Sequence, residues 1–191
     1  MNQELDELAT KLKPIFGHGW MHNIYTTGRY PDKLIKVEKQ PGMVKRWYDI
    51  FSQYPNLFPI VYKKGVLKLK NEKGEINDIN YVLIEKLETK PFVQLWMHIE
   101  QYLETFNKEF GHDRTLLGMM HEHIMKVFSE EPSETMDKFM ELIKEKNSED
   151  YIKFNMFINL VDQIVEIYPS ADVHKNQFGY DVNGNLKCLD I

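Results

Sequence analysis

Residues 171–190 read ADVHKNQFGYDVNGNLKCLD, and this stretch carries the clearest short-range folding signal in the chain. The dipeptide Asn183-Gly184 is typical of tight hairpin turns, so the stretch predicts two short antiparallel strands. A polar loop that carries Asp172 precedes the hairpin, and Asp190 ends the outgoing strand. Because a hairpin folds back on itself, we expect the two carboxylates to lie side by side at one end of it.

The chain between about residue 91 and this hairpin is predicted to be helical. Apolar residues recur at helical spacing in four segments, which begin near Phe92, Leu116, Met136 and Ser148. Ser148 is a suitable N-cap for the fourth segment, because two acidic residues follow it in the first turn. We expect this last helix to stop near Pro169.

The first 90 residues or so are instead rich in short strands broken by glycine and proline. A helical segment after Gly42 interrupts this pattern, and its apolar face includes Trp47. The order of the elements predicts an α+β chain with two lobes. The strand-rich lobe covers residues 1–90, and the helical lobe covers residues 91–191.

The composition indicates what kind of protein this is. A chain of 191 residues with 42% hydrophobic residues is typical of a packed globular protein. The net charge of −5 argues against a nucleic-acid partner. No apolar run approaches the length of a membrane span, and the N-terminus is too charged for a signal peptide. The single cysteine, Cys188, excludes an internal disulfide. We therefore expect a cytoplasmic protein without a membrane partner.

Two neighbouring carboxylates suit phosphoryl transfer, because one can orient the attacking hydroxyl while the other holds Mg²⁺ on the phosphates. The order Asp172, Gln177, Asp190 resembles the catalytic loop and following hairpin of protein kinases. The Asp172-Val173-His174 form is most similar to that of small phage-encoded serine/threonine kinases. This resemblance implies that Asp172 is catalytic and that Gln177 and Asp190 bind Mg²⁺.

The N-terminal part resembles the other half of a kinase nucleotide site. Gly17-His18-Gly19 resembles a glycine-rich phosphate loop, and residues 33–37 (KLIKV) resemble the strand whose lysine holds the α- and β-phosphates. That lysine is Lys36, to which the resemblance also gives a catalytic role. Residues 81–87 (YVLIEKL) resemble the strand and hinge, where the backbone at Glu85 and Leu87 would hold adenine.

The resemblance implies a minimal bilobal protein-kinase-like fold, with an N-terminal antiparallel-sheet lobe and a truncated helical C-lobe ending in a β-hairpin. It also implies ATP and Mg²⁺ as cofactors and a host protein as the substrate, in the cytoplasm of the host cell. The helices of residues 92–147 match no part of the family pattern.

Several features depart from that pattern, and three of them bear most directly on the site. Gln177 stands where the family has asparagine, and a displacement of about 1 Å at a reacting centre can cost on the order of 100-fold in rate. The chain ends one residue after Asp190, so we expect no activation segment. A carboxylate partner for Lys36 is not evident, because Asp49 lies on the right helix but off its apolar face.

Alternatives remain open on the sequence alone. A catalytically inactive kinase-fold protein that inhibits a host transcription or defence protein is favoured by the truncated C-lobe and by Gln177. A small-molecule kinase is also open, because the Asp-x-His loop occurs there too. Taken singly, each motif has an ordinary structural explanation, such as a hairpin turn for the two glycines or a solvated strand position for Lys36. We interpret the histidines of His121-Glu122-His123 as surface or core-edge residues, since helix positions two apart face different directions. The acceptor and the oligomeric state stay open.

Overall fold

The computed structural model describes residues 13–14, 22–27, 30–70, 76–129, 134–169 and 174–190. The protein is α+β, which confirms the fold class predicted from the sequence. Its chain divides into two compact units, Met1–Lys86 and Leu87–Ile191, whereas the sequence pattern put the boundary at residue 90. The first unit is built mainly from strands and the second mainly from helices.

The first unit is based on an antiparallel sheet with the strand order β1-β2-β3-β5-β4. Its strands are β1 (Lys13–Pro14), β2 (His22–Thr27), β3 (Tyr30–Glu38), β4 (Val61–Lys70) and β5 (Ile76–Glu85). Strand β3 is central, because β2 and β5 pair with its two edges. Residues 34–37 of β3 are all buried, as a strand covered on both faces requires.

The two faces of the sheet have different coverings. On one face lies a buried apolar cluster, whose members are Ile35, Val37, Leu67, Tyr81 and Leu83. Successive side chains of a strand point to opposite faces. Leu34 and Lys36 of β3 therefore point to the other face.

Helix α1 (Met43–Gln53) packs on the face to which Lys36 points. It buries Met43, Val44, Trp47 and Phe51. The helix follows Gly42, whose φ of 93° lies in the left-handed region that favours glycine. The backbone N–H of Val44 donates to Glu38 Oε2 at 3.0 Å, so the last residue of β3 ties down the start of the helix.

The second unit contains the four helices that the hydrophobic spacing predicts. They are α2 (Lys90–Phe110), α3 (Leu116–Ser129), α4 (Glu134–Lys146) and α5 (Ser148–Ile167). A 3₁₀ turn (Lys175–Gln177) then leads into a hairpin of β6 (Phe178–Tyr180) and β7 (Leu186–Cys188). None of the helices in the described part of the chain is long and apolar enough to cross a membrane.

Aromatic rings join the hairpin to the helices of this unit. The ring of Phe178 on β6 lies 5.3 Å from the ring of Phe92 and 5.0 Å from that of Phe157, measured between centroids. Phe92 and Phe157 are themselves 5.1 Å apart, and all three side chains are buried. Edge-to-face and tilted pairs at these distances are favourable beyond the area that they bury. The hairpin is therefore part of the core of the unit.

The cap of α5 differs from the expectation. The N-cap is Asn147, whose side-chain oxygen accepts the backbone N–H groups of Glu149 and Asp150 at 3.0 and 3.2 Å. Ser148 is already the first helical residue. Asn147 has the extended backbone that an N-cap requires, with φ of −157° and ψ of 104°, so the prediction of Ser148 as the cap was wrong by one position.

Candidate functional site

The C-terminal hairpin turns at the predicted dipeptide. The N–H of Gly184 donates to the carbonyl of Asp181 at 3.0 Å, which closes a four-residue turn with Val182 and Asn183 at its centre. Gly184 has a φ of 81°, which a glycine adopts without strain. The strands pair from Phe178 with Cys188 to Tyr180 with Leu186.

A buried ion pair that the sequence did not reveal stabilises this turn. The Asp181 carboxylate accepts hydrogen bonds from the backbone of Asn183 and Asn185, at 2.9 and 2.8 Å, and from the Asn185 side chain at 3.0 Å. It also lies 3.3 Å from Lys187 Nζ. Burial raises the pKa of Asp181, but the hydrogen bonds from Asn185, Asn183 and Lys187 lower the pKa by more, so it lies below its usual value.

The open end of the hairpin brings Gln177 and Asp190 together along the backbone. Gln177 directly precedes β6, and Asp190 lies two residues after the end of β7. The N–H of Leu189, between β7 and Asp190, donates to the carbonyl of Gln177. Asp172 precedes this end in the sequence and lies outside the described residues. The expected neighbourhood of Asp172 and Asp190 therefore stays a prediction.

The Gln177 side chain has a defined local role. Its amide oxygen accepts the backbone N–H of His174 at 2.7 Å, and the backbone N–H of Gln177 donates to the carbonyl of His174 at 2.9 Å. These two bonds close the 3₁₀ turn. A carbonyl oxygen has two lone pairs, so this oxygen keeps one further acceptor site.

The donor chemistry at this end of the hairpin fits a magnesium ion. Asp190 offers a partly exposed carboxylate and Gln177 an amide oxygen, and Mg²⁺ prefers oxygen ligands of these kinds. Among the residues that the structure describes, no three His, Cys, Asp or Glu side chains converge so that they could hold a metal. A complete site would therefore need ligands beyond these groups, such as a carboxylate of the 170–173 loop, phosphate oxygens or water.

The His121-Glu122-His123 motif does not form a metal site. His123 Nε2 lies 2.8 Å from Asp162 Oδ1 on α5, while Glu122 pairs with Arg114. His121 is exposed. The side chains diverge, as expected for positions two apart on a helix.

Leu87 and Glu88 pack directly against the hairpin. Glu88 and Tyr180 exchange two backbone hydrogen bonds, at 2.8 and 3.0 Å. Gly179 makes this close approach possible, because a Cβ added there would stand 2.8 Å from the Cβ of Leu87. Contacts this short do not occur between real side chains, so the position requires glycine. The sequence signal for this constraint was the isolated glycine inside a strand.

The backbone groups expected to hold adenine are partly engaged elsewhere. The N–H of Glu85 donates to the carbonyl of Ile60 at 2.8 Å, and the Glu85 carboxylate accepts the N–H of Ile60 at 3.2 Å. The Glu85 side chain is buried. Leu87 is buried as well, in the second unit.

Lys36 lies at the centre of the first unit. It pairs with Ile24 of β2 on one side and with Val82 of β5 on the other. Its side chain is 0% exposed, and its ammonium lies 4.2 Å from the centroid of the Trp47 ring and 5.5 Å from that of Phe51. The face of an aromatic ring attracts a cation at such distances. Lys36 is therefore not the solvated strand lysine that its residue type alone would favour.

The other residues considered around Lys36 do not add to this arrangement. Asp49 is exposed on α1, away from the buried face that carries Trp47. Gly17 and Gly19 lie outside the described residues. The sequence pattern assigned Trp47 only to an apolar helix face, and the contact between its ring and the lysine was missed.

A cleft of about 350 Å³ opens elsewhere in the first unit. Its lining residues are Tyr25, Val37, Glu38, Lys39, Gln40, Pro41, Asp78 and Ile79. None of the predicted site residues that the structure describes lines it.

Comparison of the sequence with protein-family models and with curated proteins finds no match. The functional argument therefore rests on the residues and their geometry.

Proposed function

We propose that this chain is an ATP- and Mg²⁺-dependent phosphotransferase of the bilobal, protein-kinase-like type, acting on a protein of a phage host. The observation that carries the proposal is the geometry of the hairpin. Its open end joins Gln177 and Asp190 through the backbone, shortly after Asp172 in the sequence. Protein kinases use that order, with a positioning carboxylate followed by metal-binding oxygens, for phosphoryl transfer.

Each residue has a distinct role in this proposal. Asp190 and Gln177 would hold Mg²⁺, which neutralises charge on the phosphates when bound. Asp172 would accept a hydrogen bond from the acceptor hydroxyl and orient it. Lys36 would hold the phosphates, with the backbone of Gly17 and Gly19 beside it, and the backbone at Glu85 and Leu87 would hold adenine.

A second candidate function follows from two specific observations. The ammonium of Lys36 is fully buried against Trp47, and the amide oxygen of Gln177 already accepts the N–H of His174. Both groups thus already make contacts within the fold. They favour a kinase-fold protein without turnover, which would bind and inhibit a host transcription or defence protein.

Calorimetry with Mg²⁺·ATP tests the first proposal. Wild-type protein should bind in the micromolar range, and Asp190→Ala and Lys36→Met should each lose most of that affinity. Asp49→Ala is the matched control, because it removes an exposed carboxylate from α1 and should leave binding unchanged. Transfer of radiolabelled phosphate from ATP to proteins of a host lysate would then identify acceptors.

The outcomes separate the two candidates. Nucleotide binding together with phosphate transfer that Asp172→Ala abolishes supports the phosphotransferase. Failure to bind at millimolar ATP contradicts it. If the protein binds nucleotide but transfers phosphate neither to an acceptor nor to itself, the second candidate is favoured.

A further inference from the structure

The Lys36 side chain has no accessible surface. A ligand atom can touch only a group that has some surface free. A phosphate oxygen therefore reaches this ammonium only after the lysine or one of its neighbours has moved. This is a geometric requirement, and it holds whatever other contacts Lys36 makes.

The ammonium of Lys36 lies beside aromatic rings of α1 that are fully buried. Trp47 and Phe51 are each 0% exposed, and Phe51 stacks on Phe58 at 5.0 Å with an interplanar angle of 8°. Phe58 is also fully buried. Large side chains packed in this way have no room to rotate. The four-carbon stem of Lys36 has more rotatable bonds than the ring side chains, so it can rearrange with less disturbance of the packing.

Helix α1 and Lys36 also belong to one structural unit. Glu38, two residues after Lys36 on β3, accepts the N–H of Val44 near the start of α1, and it accepts the side-chain amide of Asn80 on β5 as well. The indole and the ammonium are thus positioned by the same strand and helix. Their contact is a built feature of the unit rather than the chance position of a surface side chain.

We infer that Trp47 holds Lys36 in a withdrawn position, and that the ammonium leaves the indole for the phosphate oxygens when nucleotide binds. This inference rests on the proposed phosphotransferase function. A desolvated cation–π contact is strong enough to reduce the fraction of molecules with an available lysine by roughly tenfold or more. The apparent affinity for nucleotide falls by the same factor. Trp47 then governs the site without touching the nucleotide.

Fluorinated tryptophan provides a test that keeps the shape of the side chain. Fluorine withdraws electron density from the ring face and weakens its attraction for a cation, with little change in volume. The chain has three tryptophans, and Trp47→Phe identifies the ¹⁹F resonance of Trp47 by its loss. Mg²⁺·ATP should shift that resonance. Lys36→Met should shift it without nucleotide and abolish the response to nucleotide, while the resonance of Trp96 serves as the reference.

Affinity gives the second readout. Protein with fluorinated tryptophan should bind Mg²⁺·ATP several-fold more tightly than unlabelled protein, because the lysine is released more easily. Weaker or unchanged binding would overturn the inference, as would a Trp47 resonance that stays in place while ATP binds. If unlabelled protein binds no ATP at all, the proposed function fails and this inference fails with it. The two failures are thus distinguishable.

Discussion

Replacing Asp181 with asparagine should destabilise the C-terminal hairpin. The Asp181 side chain is 3% exposed, and the Lys187 side chain 3.3 Å away is 5% exposed, so the pair lies in a largely dehydrated environment. Asp181 also accepts three hydrogen bonds from Asn183 and Asn185. Removal of the negative charge deprives the buried ammonium of this partner and places an amide N–H₂ among donors.

The expected loss follows from these contacts. Breaking one side of a buried ion pair costs about 3–5 kcal/mol. Both backbone N–H groups donate to Oδ1, so the asparagine oxygen can retain both of these hydrogen bonds. We therefore expect the lower end, about 3 kcal/mol at neutral pH. Urea unfolding followed by circular dichroism measures the free energy of unfolding. Asp113→Asn is the control, because Asp113 is exposed, and such surface changes stay within about 0.5 kcal/mol.

The pH dependence gives an independent check. The pKa of Asp181 is lowered in the folded protein, because its hydrogen bonds outweigh the effect of burial. Its contribution is therefore fully present above the unfolded pKa, about 3.9, and is lost as the pH falls through the lower folded value. The gap between wild type and Asp181→Asn should narrow below pH 4. A gap under about 1 kcal/mol at neutral pH, or one that does not narrow in acid, would refute the assignment of a stabilising pair.

Three further substitutions test local contacts within the two units. Gly179→Ala should cost about 1–3 kcal/mol in unfolding free energy, because its Cβ would stand 2.8 Å from that of Leu87. The control is Gly118→Ala in α3, where the added Cβ meets only a threonine hydroxyl and should cost far less. Asn147→Ala removes the cap of α5 and should lower thermal stability by about 1 kcal/mol; an unchanged melting temperature would contradict the capping role. Glu38→Ala should loosen the start of α1, seen as faster amide hydrogen exchange in its first turn, whereas unchanged protection would exclude that anchor.

The helices were the part of the fold that the sequence predicted best. Each of the four apolar periodicities after residue 91 corresponds to a helix, because one face of each packs against its neighbours and the spacing records that face directly. The cap of α5 was misplaced by one residue. Asn147 and Ser148 are both good caps, and only the backbone geometry decides between them.

The hairpin was predictable for a different reason. Asn183 and Gly184 act locally, so their effect does not depend on the rest of the chain. The ion pair of Asp181 and Lys187 was not predictable, because it depends on which side chains the second unit buries around the turn. The isolated Gly179 in a strand indicated some constraint, but the reason for it was not predictable. The close contact is with Leu87, which is far away in sequence.

Lys36 shows how a family pattern and strand periodicity can give different expectations for one residue. The family pattern predicts that the lysine is available to bind phosphate. The alternation of β3 instead places it on the same face as the buried Leu34, so a helix that covers this face must cover both. An ammonium in that position needs a partner that tolerates dehydration, and the indole of Trp47 meets the need at 4.2 Å. A pattern for a buried cation–π contact follows from this. It consists of a strand with a lysine on its covered side, followed by a helix whose apolar face carries aromatic residues at positions i and i+4.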